Sequence, residues 1–468
     1  MIRRFIGDRA FYKKILAISV PLMIQQGVTN LVNLLDNIMV GSLGTEPMTG
    51  VSIVNQFVFV FNLLVFGAIS AAGIFTAQYH GLGDVEGVRH TFRFKLLVNV
   101  AAGVLGTAVM LLFSRELISL FLTGGGTEGD PALTMEEGLR YLAVMAVGLL
   151  PYAVSQVYAS TLRETGETVF PMIASVVAVV TNFLLNAVLI FGLLGAPAMG
   201  VAGAALATVI SRFAELLVLL LRTHIKSKKH TFIRGAYRSL RVPRALFGRI
   251  AVKGLPLMAN EFFWALAITL RCQCYSTRGL EVVAAQNISS TIFNLFSVIY
   301  MALGSAIAIV VGNLLGAGEL EEARDTDRKM MAFSVFCALG MGALLAALSP
   351  LFPMLYNTTD AVRGIATEMI LVMAATMPFC AFAHSAYFTL RSGGQVMITL
   401  LFDSVYLWGA VIPVTAALAY LSPLPILPLF IIGQGVESLK CIFGGILLHR
   451  GTWIRRLVAD TEGEKTGE

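Results

Sequence analysis

An internal repeat relates the two halves of this 468-residue chain. Residues 15–93 align with residues 250–328 at a constant offset of 235, without a gap, and 19 of the 79 aligned positions are identical. The matches include residues with special backbone roles, and not only common apolar ones. Examples are the pairs Pro21 and Pro256, Gly44 and Gly279, Gly81 and Gly316, Gly83 and Gly318, and Arg93 and Arg328. The repeat therefore indicates that one structural unit was duplicated within the chain.

Both copies are too apolar for a water-soluble protein. Hydrophobic residues make up 57% of the chain and charged residues 13%, whereas soluble domains carry about 25% charged residues. The mean hydropathy is +0.79, and the apolar runs approach or exceed the roughly 20 residues that cross a bilayer as a helix. The pattern predicts an all-α polytopic membrane protein with twelve transmembrane helices. We expect these at residues 14–40, 50–77, 94–114, 138–162, 168–192, 199–222, 249–276, 282–315, 329–350, 362–390, 393–420 and 424–449.

Six helices in each copy predict two six-helix lobes that insert with the same orientation. Such parallel repeats are related by a pseudo-two-fold axis along the membrane normal, with a substrate site near the midplane between them. The predicted organisation is an N-lobe, a basic cytoplasmic linker, a C-lobe and a polar C-terminal tail. Their ranges are residues 1–225, 226–248, 249–450 and 451–468.

The distribution of basic residues predicts the orientation of the chain. Of the 34 Lys and Arg residues, 27 lie at the termini, in the even-numbered gaps between the predicted helices, or within five residues of these. Since basic loops stay on the cytoplasmic side, both termini are expected in the cytoplasm and the protein in the plasma membrane. The net charge of +6 is explained by these loops and does not imply nucleic acid. The basic linker is expected to lie on anionic lipid headgroups.

Asp36 is a carboxylate inside the first apolar segment. A charged residue at the centre of a bilayer costs about 2.5–3.5 kcal/mol on insertion scales, so it normally faces protein or water. A carboxyl group that is protonated in one conformation and ionised in another can couple proton flow to a conformational change. Asp36 is therefore the predicted coupling residue, with an ion pair near the outer interface as the alternative.

Four amides follow helical spacing along the same segment and predict one polar face. We expect them to line a substrate cavity, although polar contacts between helices would produce the same pattern. They are Gln26, Asn30, Asn33 and Asn37.

Asn182 and Asn186 lie four residues apart in the fifth segment, which places them on one helix face. We expect this pair to hold a protonated Asp36, with a purely structural contact as the alternative.

At two polar positions of the repeat, the second half carries different residues from the first. Glu261 aligns with Gln26, and Arg271 aligns with Asp36. Asp403 lies inside the eleventh segment and is expected either to join a C-lobe cation site or to pair with Lys440 or Arg271. Glu261 and Asp403 are therefore further candidates for cation or proton binding, and Arg271 is a candidate for the substrate cavity.

The order and spacing of several motifs resemble the multidrug and toxic compound extrusion (MATE) transporters over essentially the whole chain. The motifs are Pro21 through Asp36-x-x-Met39-Val40-Gly41-x-x-Gly44, Gly81-x-Gly83-Asp84-x-Glu86, Asn182-x-x-x-Asn186-x-x-Leu189, Met199-Gly200-Val201-x-Gly203-Ala204-Ala205, Ala284-Ala285, Gly316-Ala317-Gly318-Glu319-x-Glu321 and Leu390-Arg391-x-Gly393-Gly394. The resemblance implies export of small organic, often cationic, compounds in exchange for protons or sodium. It implies no cofactor besides the coupling ion, and we expect a monomer in the lipid bilayer.

The resemblance also carries over to individual residues. It places the family's helix-1 acid at Asp36. Asn186 departs from the family, which often has aspartate there, and Glu261 lies about one turn before the cation-binding glutamate of some relatives. A sodium site near Asp36 or Glu261 thus stays as an alternative to proton binding.

Other function classes fit the sequence less well. No HExxH or GxSxG motif, P-loop or dinucleotide fingerprint is present in the sequence, so an enzyme is not expected. A channel would require a filter loop or a ring of subunits, and neither is evident. The closer alternative is a flippase or exporter of lipid-linked or polar metabolites from the same superfamily.

Overall fold

The computed structural model describes residues 4–122, 130–356 and 358–458, without the side chains of residues 33, 34, 37, 38, 45 and 280. Within these ranges the chain forms helices and no β-strand. The α-helices are α1 (Arg9–Gly41), α2 (Thr45–Leu82), α3 (Val85–Leu112), α4 (Ser114–Leu122), α5 (Pro131–Val147), α6 (Leu149–Glu164), α7 (Val169–Phe191), α8 (Gly200–Ile225), α9 (Arg244–Ser276), α10 (Leu280–Ala317), α11 (Leu320–Leu348), α12 (Asp360–Ser392), α13 (Val396–Leu400), α14 (Ile412–Leu421), α15 (Ile426–Ser438) and α16 (Lys440–Arg450). Two π-helical turns, Leu401–Val405 and Leu407–Val411, join α13 to α14.

The all-α polytopic fold is confirmed. In the described part of the chain, ten helices are long and apolar enough to cross a membrane, and the bent pair α5 and α6 makes an eleventh span. Helix α9 is also long enough, but it carries polar residues such as Asn260, Glu261 and Arg271. Each of the twelve predicted segments thus lies on a helix or on a broken pair of helices.

The repeat is visible in the helix bounds. Helices α1 and α9 are both 33 residues long, and α2 and α10 are both 38 residues long. Their first and last residues differ by 235 in both pairs, the offset of the sequence repeat. Pro21 and Pro256 lie inside α1 and α9 at equivalent positions. Each proline removes one main-chain hydrogen bond and favours a local bend.

Several helices begin before their predicted starts, and the largest differences are at α3 and α11. Helices α3 and α11 begin nine residues before the predicted starts at residues 94 and 329. The extra turns are polar, so hydropathy does not reveal them. Asp84 caps α3, because its side chain accepts a hydrogen bond from the Gly87 amide at 3.0 Å.

The later helices of the two copies differ more. Helices α5 and α6 meet at Gly148 with a bend of 43°, whereas α12 runs unbroken through 33 residues and contains Pro378. Helix α7 is regular, but its counterpart in the second half contains the two π-helical turns. The first copy also has one continuous last helix, α8, whereas α15 and α16 are separated at Leu439. The second halves of the repeats therefore diverged in helix geometry as well as in sequence.

The chain divides into two compact units. Unit 1 contains the described residues up to Met23, Ala77–Gly83 and those from Val252 onward, and unit 2 contains Ile24–Thr76 and Asp84–Ala251. Each unit has its own buried core of aliphatic side chains. Core residues include Leu303, Ile307, Met330 and Leu390 in unit 1 and Val54, Val65, Leu142 and Leu149 in unit 2.

The basic linker contains a folded segment, residues 230–237, which we call the docked linker. Its apolar side chains are buried in unit 2, including those of Phe232 and Ile233. Arg93 on α3 donates from Nε to the carbonyl of Ala236 at 2.8 Å and from Nη2 to the carbonyl of Gly235 at 3.0 Å. The docked linker is therefore held by a buried guanidinium as well as by apolar packing.

Glycine is required at two pairs of repeated positions for different structural reasons. A Cβ on Gly81 would overlap the main-chain carbonyl of Asn313, and a Cβ on Gly316 would overlap that of Gln78. These two glycines allow the C-terminal ends of α2 and α10 to cross in close contact within unit 1. The other pair follows two residues later, at positions 83 and 318, with φ of +79° and +82°. Only glycine adopts that left-handed backbone without a steric cost.

Candidate functional site

Asp36 meets the predicted asparagine pair in unit 2. Asn186 Nδ2 donates a hydrogen bond to Asp36 Oδ1 at 2.6 Å, and the same amide nitrogen lies 3.2 Å from Asn182 Oδ1. Both asparagines are buried on α7, one turn apart. Their spacing of four residues presents both amides to helix α1, which carries the carboxyl group.

Asn182 can adopt two amide orientations, which differ in what they offer to Asp36. In one orientation Nδ2 donates to both carboxyl oxygens of Asp36 at 2.9 Å, and Oδ1 accepts from Thr208 Oγ1 at 3.1 Å. In the other orientation Nδ2 donates to Thr208 Oγ1 at 3.1 Å, and Oδ1 faces Asp36 and Asn186. Because the nitrogen and oxygen of an amide are nearly isosteric, hydrogen bonding decides between these orientations.

The two ways of assigning the Asn182 amide suit different protonation states of Asp36. An ionised carboxylate only accepts hydrogen bonds, so it favours the orientation in which Asn182 donates. A protonated carboxyl group has one donor, which can bond to Asn182 Oδ1 in the other orientation. This set of neutral partners can therefore accommodate either state of Asp36 by rotating one amide.

Thr208 completes this set and was not among the predicted site residues. It lies on α8, and its hydroxyl accepts from Asn182 Nδ2 at 3.1 Å while it donates to the carbonyl of Ala204 at 3.0 Å. The sequence signal was weak, because a threonine in an alanine- and glycine-rich helix more often bonds only to its own backbone.

The predicted cavity face of α1 is only partly described. Gln26 and Asn30 are half-buried, and the side chains of Asn33 and Asn37 lie outside the described part of the structure. The neighbouring Gln25 makes the clearest polar contact of this region, because its Nε2 donates to Ser175 Oγ on α7 at 2.8 Å. Gln25 is therefore a polar contact residue that the sequence analysis missed.

A second polar set lies in unit 1 and alternates in charge. Lys440 Nζ lies 3.2 Å from Asp403 Oδ1 and 3.7 Å from Glu437 Oε1, and Glu437 pairs in turn with Arg271. Asn260 Nδ2 donates to the other oxygen of Asp403 at 3.3 Å. Of the two expectations for Asp403, the structure shows the pairing with Lys440. Arg271, a predicted cavity residue, is instead the end of a four-charge chain.

Glu261 lies apart from that chain and has a neutral partner. The hydroxyl of Tyr387 on α12 donates to Glu261 Oε1 at 3.1 Å. Among the described residues no cation forms a salt bridge with Glu261, and no group of three or more His, Cys, Asp or Glu side chains is arranged to hold a metal ion. The structure thus brings together Asp36 with Asn182 and Asn186, and Asp403 with Arg271 through Lys440 and Glu437.

Comparison with known proteins matches both halves of the chain. The family model MatE matches residues 21–188 and 257–417. The chain is similar to "Probable multidrug resistance protein NorM" of Thermotoga maritima, with 24% identity over 459 residues that cover 97% of this chain and 95% of that protein. It is also similar to "Multidrug resistance protein PmpM" of Pseudomonas aeruginosa, with 26% identity over 409 residues that cover 87% of this chain and 83% of that protein.

Solved structures show the same fold. A crystal structure of a MATE protein in complex with MaL6 superposes with a TM-score of 0.85 at 21% identity, covering 97% of this chain and 98% of that one. At this level of identity the likeness supports the twelve-helix, two-lobe architecture and does not assign individual residues.

Proposed function

Because this chain belongs to the MATE family of multidrug efflux transporters, we propose that it is a secondary antiporter that exports organic cations in exchange for protons. The observation that carries the proposal is the set around Asp36, in which one carboxyl group is held by the neutral amides of Asn186 and Asn182. One proton neutralises this set, and rotation of the Asn182 amide accommodates the change. Binding and release of a proton is the chemistry that such a set supports best.

The substrate class rests on the relatives. Proteins similar to this chain carry names of multidrug resistance proteins, which supports small organic compounds as substrates. We infer a cationic preference, since a substrate with positive charge would compete with a proton for the same carboxylate. The relatives' names do not favour the alternative of a lipid-linked or polar-metabolite flippase.

The proposed transport cycle uses alternating access between the N-lobe, residues 1–225, and the C-lobe, residues 249–450. The location is the plasma membrane with both termini cytoplasmic, as the distribution of basic residues favours. Transport would then need no cofactor besides the coupling ion, and the protein would act as a monomer.

The choice between proton and sodium coupling can be tested directly. Proteoliposomes that contain the purified protein would be loaded with a fluorescent organic cation. They would then be given either a proton gradient or a sodium gradient. We expect efflux under the proton gradient and none above background under the sodium gradient alone. Efflux that follows only the sodium gradient would contradict proton coupling, and absence of efflux under both gradients would contradict the function for that compound.

Asp36→Asn tests the role of the carboxyl group in the same assay. We expect the variant to lose proton-driven efflux while it folds and binds substrate, because asparagine cannot exchange a proton. Asp360→Asn is the matched control, since Asp360 lies at the start of α12 with a side chain that is 97% exposed. Proton-driven efflux at the wild-type rate by Asp36→Asn would eliminate Asp36 as the coupling residue.

A further inference from the structure

A second buried carboxylate in unit 2 is connected to helix α1. Ser175 Oγ on α7 donates to Glu215 Oε1 on α8 at 3.0 Å, and it accepts the hydrogen bond from Gln25 Nε2. Ser175 and Glu215 are each 8% exposed. Gln25 of α1 is thus connected to a buried carboxylate through one serine hydroxyl. In this series of hydrogen bonds, each donor points toward Glu215.

The charges that face Glu215 do not form a salt bridge with it among the described residues. Arg163 on α6 acts on it from a distance, and its Nη1 donates to Gln25 Oε1 at 3.5 Å. Arg212, on the same helix as Glu215, also acts on it electrostatically, while its guanidinium lies over the ring of Tyr152 on α6, 4.3 Å from the ring centroid. Gln25 is therefore the link between a half-buried cation, Arg163, and a buried anion, Glu215.

The repeat places a matching triad in unit 1. Asn260 is the repeat partner of Gln25 at the offset of 235, and Asp403 is the partner of Ser175 when Leu162-Arg163 is aligned with Leu390-Arg391. The third member is Lys440, which follows Glu437 by three residues as Glu215 follows Arg212. Asn260 Nδ2 contacts Asp403 at 3.3 Å, and Lys440 contacts Asp403 at 3.2 Å.

The two triads have the same order of contacts but differ in charge. In unit 1 the carboxylate of Asp403 is neutralised by Lys440, so the triad is closed by an ion pair. In unit 2 the middle residue, Ser175, is neutral, and the last residue is the acid Glu215 without a paired cation. A buried carboxylate without such a partner can accept a proton at a modest cost, whereas an ion-paired one resists protonation.

The unit 2 triad and Asp36 act on the same pair of helices. Gln25 and Asp36 lie eleven residues apart on α1, and their partners Ser175 and Asn186 also lie eleven residues apart on α7. The two helices therefore run parallel, with two polar contacts separated by about three turns, or about 16 Å. The N-terminal contact lies four residues after Pro21, where α1 lacks one main-chain hydrogen bond.

We propose that Glu215 is a second proton-binding residue of this transporter, and that its charge controls how firmly Gln25 on α1 is held to Ser175 on α7. When Glu215 is ionised, the hydrogen bond from Ser175 is accepted by a full negative charge. This charge strengthens that bond and the bond from Gln25 to Ser175. The protonated form leaves Arg163 and Arg212 without a nearby counter-charge on α8, so the contact at Gln25 weakens. The transport cycle would then respond to protons at two positions along α1. Asp36 would bind a proton directly, and Gln25 would respond to the proton on Glu215.

Hydrogen exchange of α1 tests this proposal without a transport assay. The rate for the peptide that contains Gln25 would be measured in proteoliposomes across acidic and alkaline buffers and divided by the intrinsic rate at each pH. For the wild type we expect protection in alkaline buffer and about fivefold less protection in acidic buffer, the change expected for weakening one charge-assisted hydrogen bond. Glu215→Gln should show the low protection at every pH, because its side chain stays neutral.

Three further variants make the result specific. Gln25→Leu keeps Glu215 but removes the link, and it should show low protection at every pH. The double variant Ser175→Asp with Glu215→Lys recreates the unit 1 triad and should show high protection at every pH. The control Glu116→Gln removes an exposed acid on α4 and should behave like the wild type.

The outcomes separate this proposal from the proposed function, on which it rests for its role in transport. Asp36→Asn should lose proton-driven efflux but keep the pH-dependent protection at Gln25. Wild-type pH dependence in Glu215→Gln, or its loss in Asp36→Asn, would overturn the role of Glu215. Absence of proton-driven efflux with intact pH-dependent protection would instead contradict only the proposed function.

Discussion

Lys440 is the central residue of the four-charge chain in unit 1. It lies between the carboxylates of Asp403 and Glu437, and the side chain of each of the three is 12–17% exposed. A charge that is removed from water depends on its partners for compensation. Since Arg271 pairs with Glu437, loss of Lys440 would leave the carboxylate of Asp403 without a cationic partner.

Lys440→Met is therefore expected to destabilise the protein strongly. Breaking a buried pair by removing one partner costs about 3–5 kcal/mol in free energy of unfolding, which thermal unfolding in detergent would detect. Arg140→Met is the matched control, because Arg140 pairs with Glu136 and Glu137 while its side chain is 58% exposed. Exposed pairs contribute about 0–1 kcal/mol, so equal effects of both substitutions would contradict this account of the chain.

Residue contacts were predictable from the sequence where spacing restricts them. The separation of four residues between Asn182 and Asn186 indicates one helix face, and both amides lie beside Asp36. The sequence did not distinguish Gln25 from Gln26, because neighbouring residues differ by about 100° around a helix and the rotation of α1 is set by packing. Thr208 was missed for a similar reason, since only the tertiary fold brings α8 to Asn182.

The docked linker shows how a polar connection becomes an ordered element. Phe232 and Ile233 are buried, and Arg93 binds two successive carbonyl groups of the segment. These contacts attach the linker to α3 by a guanidinium that is itself only 6% exposed. The exposed residues Arg234 and Arg238 lie within or next to this segment, so local opening would present them to a protease.

Arg93→Leu is expected to release the docked linker. The substitution removes two hydrogen bonds from a charged group, each worth about 1.5–3 kcal/mol, and we expect cleavage by trypsin after Arg234 and Arg238 to become at least about tenfold faster. Limited proteolysis followed by mass spectrometry would identify the sites. Arg115→Leu, which removes an exposed arginine on α4, should leave the cleavage rate unchanged. An unchanged rate in Arg93→Leu would show that the Arg93 hydrogen bonds do not hold the linker.

Helix types were easier to predict than helix ends. The apolar segments correspond to helices throughout, but α3 and α11 extend nine residues beyond the predicted starts because polar first turns carry no hydropathy signal. The π-helical turns around Asp403 and the break at Leu439 also left no signal in the sequence. Such irregularities follow from packing against neighbouring helices, which a pattern along one chain does not contain.

The crossing of α2 and α10 is the contact that the repeat preserves most directly. At this point Gly81 faces the main chain of Asn313, and Gly316 faces the main chain of Gln78. Both contacts involve main-chain atoms, which cannot move aside as a flexible side chain can. The glycines at positions 81 and 316 of the repeat are therefore explained by the lack of space for a side chain at both positions.

Gly81→Ala and Gly316→Ala are each expected to destabilise the protein and to impair export. Forcing a methyl group into a close main-chain contact costs about 1–3 kcal/mol, which thermal unfolding would detect. Gly340→Ala is the matched control, since no atom lies within 4 Å of a Cβ at that position in α11. There alanine should be neutral or stabilising by up to about 1 kcal/mol. A similar loss in all three variants would contradict a role for the close approach.

The glycine contact has a consequence for the origin of the chain. Each half of the contact is the image of the other, because Gln78 and Asn313 are separated by the same 235 residues as Gly81 and Gly316. A patch that fits a copy of itself is the requirement for a symmetric homodimer. A single six-helix chain with one such loop could therefore pair with a second molecule through this surface. Fusion of two genes would then add only a high effective concentration, and it would free Gln25 and Asn260 to acquire different neighbours.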